Sequence, residues 1–79
     1  SRVYLLPKTF QKWYPKGTKL SIFPVGEANG VVTKNLVYNL NNETLKLPER
    51  TSSSNEVLND GFVEILHANG HLLLMECWD

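Results

Sequence analysis

The sequence predicts a small all-β domain, an antiparallel barrel of five to six strands with at most one short helical turn. Three observations predict it. Asn69-Gly70 is a two-residue hairpin signal, because both residues tolerate the positive φ of a type I′ turn; apolar runs flank it, Phe62 to Ala68 before and Leu72 to Trp78 after. Thr18 to Pro24 alternates, with Leu20, Ile22 and Pro24 on one face and Lys19, Ser21 and Phe23 on the other, the period of a half-buried strand. Turn-forming residues recur roughly every ten residues, a spacing that suits short strands and a barrel or sandwich.

Taken in order, Val3-Tyr4-Leu5-Leu6 is a β-prone run stopped by Pro7. Lys8 to Lys16 carries Thr9 as an N-cap candidate and Phe10, Trp13 and Tyr14 at helical spacing, so the one helical turn is expected there, ended by Pro15 and Gly17. The alternating strand follows. Gly26 to Gly30 is a loop, with Asn29-Gly30 closing a turn. Val31 to Leu40 reads as a longer strand with a break near Lys34-Asn35 that suits a bulge. Asn41-Asn42 turns into Leu45-Lys46-Leu47, and Pro48 stops it. Arg50 to Asn55 is Ser-rich and polar, which predicts an exposed, mobile loop dispensable for folding. Asn59-Asp60-Gly61 then turns into the hairpin. The expected core is Val3, Leu5, Leu20, Ile22, Val32, Leu36, Tyr38, Leu45, Leu47, Val63, Ile65, Leu72 and Leu74, with part of the aromatic set.

The 79 residues amount to a single domain, 1–79, with a small core. A chain this short buries only about 60% of its unfolded surface, which leaves little room for a deep active-site cavity. It opens on Ser1-Arg2 without Met and ends after an apolar strand, as expected of a piece of a longer protein. No apolar run approaches the roughly 18 residues that span a membrane, and no secretory pattern is visible. The lone Cys77 suits a reducing, intracellular setting, cytoplasmic or nuclear. That setting leaves the sequon Asn42-Glu43-Thr44 without sugar, and Asn-rich turn chemistry explains the same residues.

Net charge is zero but unevenly spread: Arg2, Lys8, Lys12, Lys16 and Lys19 precede any acid, and the remainder is acidic. Either a basic binding edge sits on an acidic body or the two regions neutralise each other on folding. Lys8 to Lys19 interleaves four lysines with Phe10, Trp13 and Tyr14. It is the segment with the character of a binding surface, and Lys12, Trp13, Tyr14, Lys16 and Lys19 are its candidate residues. The competing role is core, with Trp13 plugging one end of the barrel. The burial of that ring decides between them.

Chemistry-bearing residues are sparse. His67 and His71 flank the Asn69-Gly70 turn as exposed polar residues, and two imidazoles fall short of the three or four ligands zinc requires. Cys77 has no activating base nearby and reads as a structural thiol. A simple two-residue hairpin puts Glu64 opposite Met75 and Glu76 opposite Val63, which places the two acids on opposite faces and removes a carboxylate dyad. No phosphate-binding loop is present. Neither a metal nor a cofactor is expected.

Tyr14 to Pro24 resembles the first strand of Tudor and other SH3-like modules, where a glycine precedes an alternating strand; the resemblance implies an SH3-like barrel. The Tudor cage residues have no counterparts here, so it implies no methyl-lysine or methyl-arginine reading. Asp60 to Gly70 is similar to hairpins of the centriolar G-box type, but turn chemistry alone produces these, and neither family is claimed. These readings converge on a non-catalytic protein–protein interaction module of a larger intracellular protein. Its partner would be a protein or peptide and it would not be an enzyme. The alternative is a nucleic-acid-binding barrel using residues 8–19.

Overall fold

A computed structural model describes residues 1–47 and 51–77. Among them, seven strands follow in chain order: β1 (Arg2–Leu5), β2 (Thr9–Tyr14), β3 (Lys19–Lys34), β4 (Glu43–Lys46), β5 (Ser52–Glu56), β6 (Gly61–Leu66) and β7 (Asn69–Cys77). Every pairing is antiparallel, and the sheet runs β1-β7-β3-β6-β2 with β4 and β5 added to the other edge of β3. The sheet curls into a half-barrel, so the all-β antiparallel expectation holds, with seven strands rather than five or six. No helix among the described residues is long and apolar enough to cross a membrane.

The largest departure from the sequence reading is the final hairpin, because β6 and β7 do not pair with each other. Leu66 lies opposite Val32 and Glu64 opposite Lys34. The same register resumes with Asn69 opposite Asn29 and Gly70 opposite Ala28. Residues 61–77 are therefore one bent line running beside β3. Both edges of that line are taken, by β2 and β3 along β6 and by β1 and β3 along β7. With its ladder groups engaged on both sides, neither half is left to close a hairpin. Ala68 N–H donates to Asn29 O at 2.9 Å, which holds the bend against β3.

Gly70 is required here for a reason other than turn chemistry. Its φ is +87°, and an added Cβ would stand 2.1 Å from Glu27 O. The glycine lets two backbones touch where the ribbon bends.

Residues 2–14 repeat the design on the outside. β1 pairs with β7, β2 with β6, and the link between them is held by Leu6 N–H to Leu72 O and His67 N–H to Lys8 O, at 2.9 and 3.0 Å. The helical turn expected in 8–16 is strand β2 instead. Side chains there follow period two: Phe10 and Lys12 are half-buried, Tyr14 is buried, and Thr9, Gln11 and Trp13 point the other way. Register shifts between Pro24 and Ala28, between Leu20 and Ile22, and between Ala28 and Val31 let the 16 residues of β3 bend into both halves of the sheet. The Asn29-Gly30 turn expected from sequence lies inside this strand.

The core gathers Leu20, Ile22, Leu36, Leu45, Val63, Ile65, Leu72 and Leu74, all expected, with Leu6, Tyr14, Ala28, Val31, Leu40 and Val57. Val3, Leu5, Tyr38 and Leu47 are exposed instead, and Val32 is half-buried because Val31 takes the inward position. The edge position of β1 explains the first two: its outward face has no covering layer among the described residues.

The mobile loop expected over Arg50 to Asn55 is also corrected. Arg50 lies outside the described residues, and Ser52–Glu56 form β5 against β3. Asn55 is buried, its amide donating to Tyr38 O at 2.7 Å and Ser52 Oγ at 3.0 Å while its oxygen accepts from Tyr38 N–H at 3.1 Å. A polar strand pairs when its amides and hydroxyls complete the hydrogen bonding.

Candidate functional site

Among the described residues, the half-barrel buries one carboxylate. Glu76 is fully buried on β7, where alternation points it inward with Leu72 and Leu74. Its Oε2 accepts from Lys12 Nζ at 2.7 Å and from the Tyr14 hydroxyl at very short range. Its Oε1 accepts from the Tyr4 hydroxyl at 3.2 Å. Tyr4 in turn accepts from Lys12 Nζ at 2.9 Å and from Arg2 at 3.3 Å. The Lys12 ammonium also lies 5.1 Å from the Tyr4 ring centroid and 5.3 Å from that of Tyr14, a cation–π arrangement.

The charges are mutually tuned. Burial pushes the Glu76 carboxyl up, but hydrogen bonds from Lys12 and Tyr14, the Lys12 charge and the Tyr4 hydroxyl together outweigh it and hold the group below the usual carboxylate range. The hydrogen bond to Glu76, then that to Tyr4, raises Lys12 above the usual lysine value. Burial first, then the Glu76 hydrogen bond and charge, raises the Tyr14 hydroxyl well above the usual phenol value. An ionised carboxylate with three donors satisfies the requirement for burying a charge.

The five candidate residues of the basic aromatic segment therefore separate. Lys12 and Tyr14 turn toward Glu76. Trp13 is 52% exposed on the opposite face of β2, beside Phe62 in register. Lys16 is exposed on the turn that follows, where its backbone N–H donates to Asp60 at 2.6 Å. Lys19 is exposed and ion-paired with Glu56. The uneven charge is thus partly neutralised at home: Lys12 by Glu76, Lys19 by Glu56.

A second arrangement lies on the outer face of the sheet formed by β1, β7, β3 and β5. Opposite Leu20 and Ile22, strand parity places Ser21, itself buried, and the half-buried Phe23 toward this face. Register puts Met75 beside Ser21 and Val3, and Leu73 beside Phe23 and Leu5. On β5, Ser53 and Ser54 are exposed, and Ser54 N–H donates to Ser21 Oγ at 3.3 Å. Ser54 has φ of +59°, a left-handed conformation inside a strand. Such strain costs about 1–3 kcal/mol and collects where a ligand or partner is met. The face combines hydroxyls with an aromatic and apolar floor, and Lys19, of the same parity on β3, is ion-paired there with Glu56. Sequence reasoning missed it because Ser52-Ser53-Ser54-Asn55 reads as a flexible loop. The signal was that Asn55 ends the run, an amide able to lock a strand.

Other candidates resolve simply. His67 is buried rather than exposed, its Nε2 3.1 Å from Gly70 O, and His71 is exposed. Among the described residues no three His, Cys, Asp or Glu side chains form a metal-binding group. Glu64 is part-exposed, 3.9 Å from Lys34, and does not join Glu76.

Residues 5–72 match the family described as thiamin pyrophosphokinase, vitamin B1 binding domain. The crystal structure of thiamine pyrophosphokinase from Bacillus subtilis superposes with a TM-score of 0.84 over 98% of this chain, at 18% identity. That of thiamin pyrophosphokinase from Geobacillus thermodenitrificans gives 0.81, also over 98%, at 22% identity. The chain covers 37% and 36% of those two polypeptides, little more than a third of their length. No curated protein matches the sequence. The family match overturns the expectations of a non-catalytic interaction module, of a nucleic-acid-binding barrel, and of a chain that is not an enzyme.

Proposed function

The chain belongs to the thiamin pyrophosphokinase, vitamin B1 binding domain family, and from that premise we propose that it supplies the vitamin-contacting part of a thiamin pyrophosphokinase. The observation that carries this reading is the family match across residues 5–72, supported by a fold shared over nearly the whole chain. The vitamin would be bound, and its hydroxyl receive a pyrophosphoryl group, only together with the rest of the enzyme. An intracellular location belongs to the same proposal.

The chemistry of thiamin selects among the surfaces. Its thiazolium ring is a fixed cation, so a patch with exposed lysines such as Lys16 repels it. The outer face at β3, β5 and β7 offers the Ser53 and Ser54 hydroxyls for the aminopyrimidine and the Phe23 ring for the cation, a contact worth about 0.5–1 kcal/mol at an exposed site. We therefore place the vitamin against Ser53, Ser54, Phe23 and Met75. Of the five residues of the basic segment, Trp13, with Phe62 beside it, contacts the rest of the enzyme polypeptide, while Lys12 and Tyr14 hold Glu76. The test is steady-state kinetics of the full-length protein with thiamin as acceptor. Phe23→Ala and Ser54→Ala should raise KM for thiamin at least fivefold, and Lys16→Ala should leave it unchanged. No thiamin-dependent turnover, or an effect confined to Lys16, would overturn the reading.

A further inference from the structure

All four groups that bond or flank Glu76 come from one segment. Tyr4 and Arg2 lie on β1, and Lys12 and Tyr14 on β2. Glu76 itself lies one strand further in, on β7, between β1 and β3. From β3, its register partner is the uncharged Leu20. On that side Lys19, in register with Cys77, is ion-paired with Glu56. The segment 2–14 is also peripheral: β1 pairs with β7 alone and β2 with β6 alone. It crosses both halves of the sheet as the outermost line, with Val3, Leu5 and Trp13 exposed and Leu6 and Tyr14 as its buried contacts.

We propose that residues 2–14 form a strap clamped by the Glu76 carboxylate, and that loss of this negative charge frees the strap as one unit while β3, β6 and β7 stay paired. The physical reason is asymmetry of attachment. β6 and β7 are paired on both edges; the strap is paired on one. Its anchor is a carboxylate oriented by donors that all belong to the strap; a neutral group in its place loses the Lys12 ion pair and keeps one carbonyl oxygen for the donors that two carboxylate oxygens now serve. Release bares the second edge of β6 and β7, a row of backbone donors and acceptors open to another strand. The clamp is independent of where thiamin binds.

Hydrogen exchange of the full-length protein, read peptide by peptide, tests it. In Glu76→Gln at neutral pH, protection over 2–14 should fall roughly tenfold or more, the worth of one hydrogen bond to a charged group, relative to 19–34 and 61–77. Tyr14→Phe should show the same confined pattern at smaller amplitude, and it decides the matter if the first variant does not fold. In the wild type, strap protection relative to the body should drop as acid protonates Glu76, and in Glu76→Gln it should stay flat. An equal loss across strap and body, or no change in the strap, would overturn the proposal.

Discussion

Replacing Gly70 with Ala separates a bent ribbon from a terminal hairpin. The added Cβ would stand 2.1 Å from Glu27 O and 2.8 Å from Ala28 Cα, both backbone atoms of β3. No rotamer change relieves this contact, so β3 must retreat by more than 1 Å from a register that continues on both sides (~1–3 kcal/mol for comparable overpacking). The left-handed φ of +87° adds about 1–2 kcal/mol for a residue with a Cβ. Together the loss is about 2–5 kcal/mol. A domain of this size holds roughly 4–12 kcal/mol in total. Gly17 provides the control: its φ is +88°, the same conformation, yet nothing lies within 4 Å of its Cβ position. Gly17→Ala should lose the conformational part alone. Urea denaturation of both variants, with the slope checked for constancy, gives the difference directly. A shortfall of about 1–3 kcal/mol for Gly70→Ala beyond Gly17→Ala is expected. Equal losses would show that no backbone packs on Gly70, and the continuity of β6 with β7 along β3 would fail with it.

Glu76→Gln should destabilise the fold by about 1–3 kcal/mol at neutral pH, since it removes the charged acceptor of Lys12 and Tyr14 while solvent screens the partly exposed Lys12 ammonium. In the wild type, the carboxylate sits below its unfolded value, so its contribution is complete above about pH 4.3 and disappears as pH falls through the folded value. Lys12 sits above its unfolded value, so its contribution is complete below about pH 10.4 and is lost as pH rises through the folded value. Thermal unfolding from acid to alkali should show both limbs in the wild type, and the acid limb should shrink in the variant. Deleting Ser52 to Ser54 should cost more than about 2 kcal/mol, read from melting temperature, because it removes β5 pairing and strands the buried Asn55. Acrylamide should quench Trp13 fluorescence in a Trp78→Phe background, since that ring is half exposed; an unquenched ring would place it in the core.

The class of the fold was written in the chain itself. Period-two alternation at Leu20, Ile22 and Pro24, or at Val63 and Ile65, needs no long-range information to specify a strand, because the side-chain period of extended backbone is fixed by covalent geometry. Eight of the core residues follow from that pattern. What the pattern cannot specify is which edge pairs with which. Asn69-Gly70 satisfies a type I′ turn locally, and tertiary structure uses the same glycine for a backbone contact with Glu27 and Ala28 fully forty residues upstream in chain order. The helical spacing of Phe10, Trp13 and Tyr14 lost to β6, whose open ladder groups gave β2 its period. Val3 and Leu5 are apolar and still exposed, because burial depends on a covering layer that lies outside their own strand. Glu76 is the sharpest case. In the sequence it is an acid within an apolar run; in the fold it is the one point where β1 and β2 converge on β7, and only the pairing of residues more than sixty positions apart brings Lys12 and Tyr14 to it. Strand character is local and was legible, whereas strand order, and with it every polar contact across the half-barrel, was decided by which backbone edges were left free when the chain closed.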